Sequence, residues 1–135
     1  MNYKILFYIF FIFAFFQKTV FTDEININSS KIKVLEEGNI VTALNVKANI
    51  PSKKIEIEGD KSIYDKQNGQ LTIINNVKFF DKLKNVYIEG KKVIYNQITD
   101  VIQTIGKTYI KIENKYDLYS YDLFYDRKSQ KIYSN

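Results

Sequence analysis

A chain of 135 residues with 45% hydrophobic and 16% aromatic side chains holds enough apolar material for one packed domain and is too rich in it for a disordered one. It contains no cysteine and no histidine, which excludes disulfides, thiolate and imidazole metal centres, cysteine nucleophiles and every histidine-based triad. The formal net charge of +5 rests on lysine, with Arg127 the only arginine, a poor endowment for nucleic-acid recognition.

In residues 1–22, Lys4 precedes an unbroken apolar run over 5–16, and Gln17 and Lys18 break it. The run is short for a membrane-spanning helix, which needs about 20 residues. It fits the apolar region of a secretory signal peptide with cleavage after Thr22; a retained inner-membrane anchor is the alternative. Either way the chain is exported.

Residues 23–52 open with alternation, Ile25 and Ile27 and then Ile32 and Val34 against Lys31 and Lys33. Glu36-Glu37-Gly38-Asn39 is a turn signal, so 31–49 reads as a hairpin. Adjacent carboxylates in a tight turn point apart into solvent, so Glu36 and Glu37 do not make an acid–base pair. Pro51-Ser52 marks a break, and 23–52 reads as a diverged first rung that caps a repeat array.

Residues 53–135 say nearly the same thing three times, over 54–84, 85–114 and 115–135. Tyr64, Tyr95 and Tyr125 recur about every 30 residues, each preceded by Ile63, Ile94 or Phe124, and Gly59 and Gly90 match Ser120. Within each copy the apolar period is two. Ile55 and Ile57 alternate with Glu56 and Glu58, Val77 and Phe79 flank Lys78, Val86 and Ile88 flank Tyr87, and Ile110 and Ile112 flank Lys111. Turn chemistry separates these runs at 66–69, 81–85, 97–100, 114–117 and 127–130. The fold class is all-β, as a sandwich, jelly roll or solenoid-like stack of rungs.

At the tyrosines two large residues stand side by side. One of each pair faces out, or the strand bends there with a bulge. The adjoining Asp65, Asn96 and Asp126 read as turn openers, because one carboxylate per rung makes no cage for a cation.

Asp60…Tyr64-Asp65, Lys91…Tyr95-Asn96 and Asp122…Tyr125-Asp126 form a recurring unit. Extended segments come after it at Asn75-Asn76-Val77-Lys78-Phe79 and Gly106-Lys107-Thr108-Tyr109-Ile110. This pattern, over about 27–135, resembles the OstA-like β-jelly rolls of the lipopolysaccharide transport (Lpt) system. The opening, 27–45, is most similar to the start of a mature LptD, the outer-membrane assembly protein, with the periplasmic LptA as the other member of comparison. The resemblance implies a folded-over, repeat-built β-jelly roll of the OstA/LptA type, working in the periplasm without catalysis, metal or cofactor. It implies lipopolysaccharide as ligand, the acyl chains of lipid A lying in an apolar interior and the sugars and phosphates staying outside. The inward candidates are Ile55, Ile57, Val77 and Phe79 with Val86, Ile88, Ile110 and Ile112. Partners would be other Lpt jelly rolls, docked by strand addition at the unpaired edges. An LptD continues into an outer-membrane barrel, so the chain is either a fragment of such a protein or a free-standing LptA-like module.

Two rival readings come from other classes. A structural or adhesive β-solenoid would have a closed interior and take up no lipid. A hydrolase would use Glu56, Glu58 or Asp60; Glu56 and Glu58 share a strand face about 7 Å apart, but the sequence offers no aromatic sugar platform on that face. Lys82, Lys84, Lys91 and Lys92 read as solvated surface lysines, with lipid phosphates as the alternative.

Overall fold

The structure, a computed structural model, describes residues 23–134, and the signal-peptide expectation for 1–22 lies outside the described residues. Ten antiparallel strands form one continuous sheet. They are β1 (Asn26–Asn28), β2 (Lys31–Leu35), β3 (Ile40–Ile50), β4 (Ile55–Asp65) and β5 (Gln70–Asp81), then β6 (Val86–Asn96), β7 (Val101–Ile112), β8 (Tyr116–Tyr121), β9 (Leu123–Asp126) and β10 (Lys131–Ser134). The expected hairpin is β2 and β3, and the all-β reading holds.

The long strands β3 to β7 are a meander in which each strand is bent at its middle. Register slips mark the bends, between Glu58 and Lys61 in β4, Ile74 and Val77 in β5, and Gly90 and Lys92 in β6. The residues at the bends suit a kinked backbone. Asn45, Asn75, Asn76 and Asp122 have positive φ, as does Gly106, and short polar side chains and glycine accept that conformation at least cost. Gly59 is required for a different reason: a Cβ there would lie 2.4 Å from Ile73 Cγ2.

The bends fold the sheet over on itself into two leaves. The first contains 46–50, 55–59, 77–81, 86–90 and 107–112, flanked by β1 and β8. The second contains 40–44, 61–65, 70–74, 92–96 and 101–105, flanked by β2 and by β9 with β10. In the third repeat the bent strand is split, with β8 on one leaf and β9 on the other.

The bends also explain where strict alternation fails. In β4 the buried positions run Ile55, Ile57 before the slip and Ser62 after it, so the inward parity changes from odd to even. In β6 it changes the other way, from Val86 and Ile88 to Val93 and Tyr95. The sequence left two options at the tyrosines. The strand bends a few residues earlier, at Gly59-Asp60 and Gly90-Lys91. The tyrosine faces in, with Tyr95 and Tyr125 fully buried and Tyr64 packed against the core. Asp65, Asn96 and Asp126 open turns as expected: the Oδ1 atoms accept from the amides of Asn68, of Ile98 and Thr99, and of Lys128 and Ser129.

Candidate functional site: an apolar slit with a polar clasp

All of the expected interior residues lie on one surface. Ile55, Ile57, Val77, Phe79, Val86, Ile88 and Ile110 are buried on the inner face of the first leaf, and Ile112 is half-buried against the same core. Facing them from the second leaf are Leu71, Ile73, Val93, Tyr95, Ile102 and Tyr125. Phe79 and Ile88 have no exposed area, so the two faces are in contact and the interior is closed, as the structural β-solenoid reading also expects. Burying a side chain of this size contributes about 1.5–3 kcal/mol.

The two long sides of the slit are closed by different means. Along the bend the leaves are joined by the backbone of five strands, β3 to β7. Along the opposite side lie the turns, and their backbone hydrogen bonds run within a lip. Lys82 N to Lys54 O and Glu113 N to Asn85 O run along one lip; Gln97 N to Gly69 O and Arg127 N to Asp100 O run along the other. Among the described residues, the bonds that join lip to lip are made by side chains.

Those side chains form a buried charged network. Arg127, in the turn after β9, donates through Nε to Asp81 Oδ2 at 2.6 Å and through Nη1 to Asp100 Oδ2 at 2.8 Å. Its Nη2 reaches Lys53 O at 3.3 Å. Lys53, on the first leaf's lip, donates to Tyr95 OH at 2.9 Å and pairs with Asp100 and Asp23, each at 3.0 Å. Tyr95 OH donates to Asp100 Oδ1 at 2.9 Å, and Tyr125 OH to Asp81 Oδ2 at 3.1 Å. Asp81 Oδ1 meanwhile accepts the amides of Leu83 and Lys84, so this buried carboxylate is fully satisfied. Gln97 Nε2 donates to Asp23 O at the same mouth. Tyr95 and Tyr125 thus have a double role: their rings floor the slit and their hydroxyls reach the clasp.

This geometry sets the electrostatics. Burial works to raise the Asp100 carboxyl, but hydrogen bonds from Lys53, Arg127 and Tyr95 outweigh it and hold the group below the ordinary carboxylate value. Burial alone would lower Lys53 and Arg127; their partners Tyr95, Asp23 and Asp100, and Asp81 and Asp100, instead hold both above their ordinary values. Burial pushes the Tyr95 phenol up to about 12. Around neutral pH Asp100, Lys53 and Arg127 are therefore charged and the Tyr95 phenol is neutral.

The outer face of the first leaf corrects one expectation. Glu56 and Glu58 do share it, and each is paired, with Lys82 and with Lys47 at 3.5 Å. The face is not bare of aromatics, however. Phe80, Tyr87, Tyr109 and Tyr119 lie in a row across four neighbouring strands, with successive ring centroids 4.5, 6.3 and 5.1 Å apart. Sequence reasoning missed the row because its members are adjacent only through strand register, Phe80 opposite Tyr87 and Tyr109 opposite Tyr119. It missed the clasp for the same reason, and read Asp81, Asp100 and Arg127 as turn residues.

Among solved structures, the fold is similar to that of LptH from Pseudomonas aeruginosa, described as the LptA-homologous periplasmic component of the lipopolysaccharide transport device. The TM-score is 0.73 at 13% identity, over 84% of this chain and 85% of that one. No family model matches the sequence, and no curated protein does. The likeness is one of fold, and it makes this an LptA-type β-jelly roll.

Proposed function

We propose that the chain is a non-catalytic lipopolysaccharide-binding and transfer module that works in the periplasm and holds lipid A acyl chains between its two leaves. The observation that carries this reading is the asymmetry of the slit. A continuous apolar surface is hinged by backbone on one side and shut by side chains on the other, so the leaves can part without breaking a strand ladder. The eight inward positions from Ile55 to Ile112 would be the acyl-chain contacts. The resemblance of 27–45 to the start of LptD and the fold likeness to LptH support a place in one relay, at the outer membrane or on the way to it. The backbone edges at the two ends of the array, β1 with β2 and β8 with β10, would meet neighbouring jelly rolls by strand addition. Residues 1–22 would supply the export signal, and 23–52 would form the rung that starts the array.

The test is photocrosslinking in cells, with the probe at Phe79 or Ile88 inside the slit and at Glu56 outside. The reading expects lipopolysaccharide adducts from the inner positions alone. A folded, exported protein that gives no adduct from either inner position would return the structural β-solenoid as the better account.

A further inference from the structure

Where the outer face of the first leaf runs into the bend, it is hollowed into an open groove of about 880 Å³. Lys78, Glu89, Tyr109 and Tyr119 place the groove on the outer surface of the leaf; it shares Val77 with the inward set and no residue with the clasp. Three tyrosines line it, Tyr109, Tyr119 and Tyr121, and Tyr119 is 83% exposed. Exposed rings collected in one concavity mark a contact surface rather than a random scatter of apolar residues. From the groove the aromatic row continues across the leaf through Tyr87 to Phe80.

The groove's polar groups narrow the chemistry. Lys78, Lys91 and Lys107 stand around it, and among the described residues none of them makes an ion pair. Its two acidic residues are both engaged: Asp60 accepts from Asn76 Nδ2 at 2.8 Å, and Glu89 accepts from the Tyr87 hydroxyl. The Tyr109 hydroxyl is likewise tied to Asp117 at 2.5 Å, and its ring is held between those of Tyr87 and Tyr119. The groove floor is built from β6 and β7, each paired on both sides there, and its outer wall is β8, whose far edge is unpaired among the described residues. The neutral donors Asn76 and Tyr87 leave both carboxylates charged, so the three lysines outnumber the groove's acidic groups by one. Exposed rings, amide side chains and this small cationic excess suit a ligand with apolar ring faces, hydroxyls and negative charge.

We propose that this groove is a second binding site, for an acidic saccharide, whose rings stack on Tyr109, Tyr119 and Tyr121 while its carboxylates or phosphates meet Lys78, Lys91 and Lys107.

The experiment is an amide-shift titration of the isotope-labelled full-length chain with an oligogalacturonate, and in parallel with a neutral maltooligosaccharide and with inorganic phosphate. The oligogalacturonate is expected to shift Lys107, Tyr109, Ser120 and Tyr121 and to leave slit residues such as Ile57 and Leu71 in place. Tyr119→Ala and Lys107→Gln, both at exposed positions that leave the fold intact, are each expected to weaken it about tenfold. The neutral sugar is expected to bind more weakly than the acidic one. Silence at these amides overturns the site. Equal binding of both sugars overturns the acidic assignment. Shifts from phosphate that match those from the saccharide and survive Tyr119→Ala reduce the groove to a patch of lysines. The same amides shifting on dilution alone would place a second copy of the chain in it. Because the probes carry no lipid, failure here leaves the slit reading standing, and failure of the crosslinking leaves this one.

Discussion

Arg127 Nε donates to Asp81 Oδ2 at 2.6 Å although the two residues are 46 apart in sequence and stand on opposite lips of the slit. Both are buried, Asp81 at 1% exposure and Arg127 at 5%. Two unlike properties meet in this pair. Correctly made, it holds the leaves together; with one partner removed, it leaves an unpaired charge in a site that water does not reach.

Replacing Arg127 by Met should therefore cost about 3–5 kcal/mol, the range for stripping one member from a buried pair. Urea denaturation measures it directly. Adding Asp81→Asn to Arg127→Met should recover part of the loss, since the neutral amide removes the stranded charge and its carbonyl still accepts the turn amides of Leu83 and Lys84. Additive losses in the double variant would show that Arg127 stabilises the fold by some route other than this ion pair.

The clasp also sets a pH window. Asp100 is held below the ordinary carboxylate value in the folded chain, so its contribution is complete above the unfolded value of about 3.9 and is lost as pH falls through the lower folded value. Lys53 is raised, so its contribution is complete below about pH 10 and lost above it. Tyr95, pushed up to about 12, adds to the same alkaline loss. The melting temperature should form a plateau from about pH 5 to about pH 10 and fall on both sides. Asp100→Asn should reduce the alkaline fall, because Asp100 helps to hold Lys53 and Tyr95 up, and should flatten part of the acid fall. Part of that fall will remain, because Asp23, Asp65 and Asp126 are also held low.

The two glycines that the repeat aligns should respond differently to alanine. At Gly59 the new methyl would sit 2.4 Å from Ile73 Cγ2 and 3.2 Å from Asn75 O, inside the core at the bend. At Gly90 the nearest atoms are 3.7 Å away. Gly59→Ala should destabilise by about 1–3 kcal/mol, the usual range for overpacking, and Gly90→Ala by much less. Thermal melts of the two variants side by side decide it, and similar losses would show that the aligned glycines serve one common backbone role.

These residues also separate what could be read in the chain from what could not. Ile55 and Ile57, or Val77 and Phe79, declare a strand face through neighbours two positions away, so the alternation and the inward set were local information. Asp65, Asn96 and Asp126 announced their turns because an Asx side chain bonds amides only two or three residues on. The shift of parity at Gly59-Asp60 is set by a register slip against β5, a relation between strands, so the facing of Tyr64 stayed open until the pairing was known. The clasp and the aromatic row are more distant still. Lys53 meets Asp100 across 47 residues, and nothing near either residue in sequence announces the other.

Tyr95 connects the clasp to the proposed transport. Its hydroxyl lies between Lys53 and Asp100, and its ring belongs to the wall of the slit. Tyr95→Phe keeps the ring and deletes one of the links between the lips, at a cost of about 1 kcal/mol for the lost hydrogen bonds. The Lys53–Asp100 and Arg127–Asp81 pairs stay in place. If the leaves part at the clasp to admit acyl chains, the variant should take up a fluorescent fatty-acyl probe several-fold faster than the parent chain. Tyr64→Phe provides the comparison. The Tyr64 hydroxyl bonds Gln97 Oε1 within the second leaf's lip, so its removal should leave the uptake rate nearly unchanged. Equal acceleration by both variants would mean that uptake tracks general loosening of the fold. No acceleration by Tyr95→Phe, in a variant that melts lower as expected, would mean that acyl chains reach the interior by the open strand edges and that the clasp is purely structural.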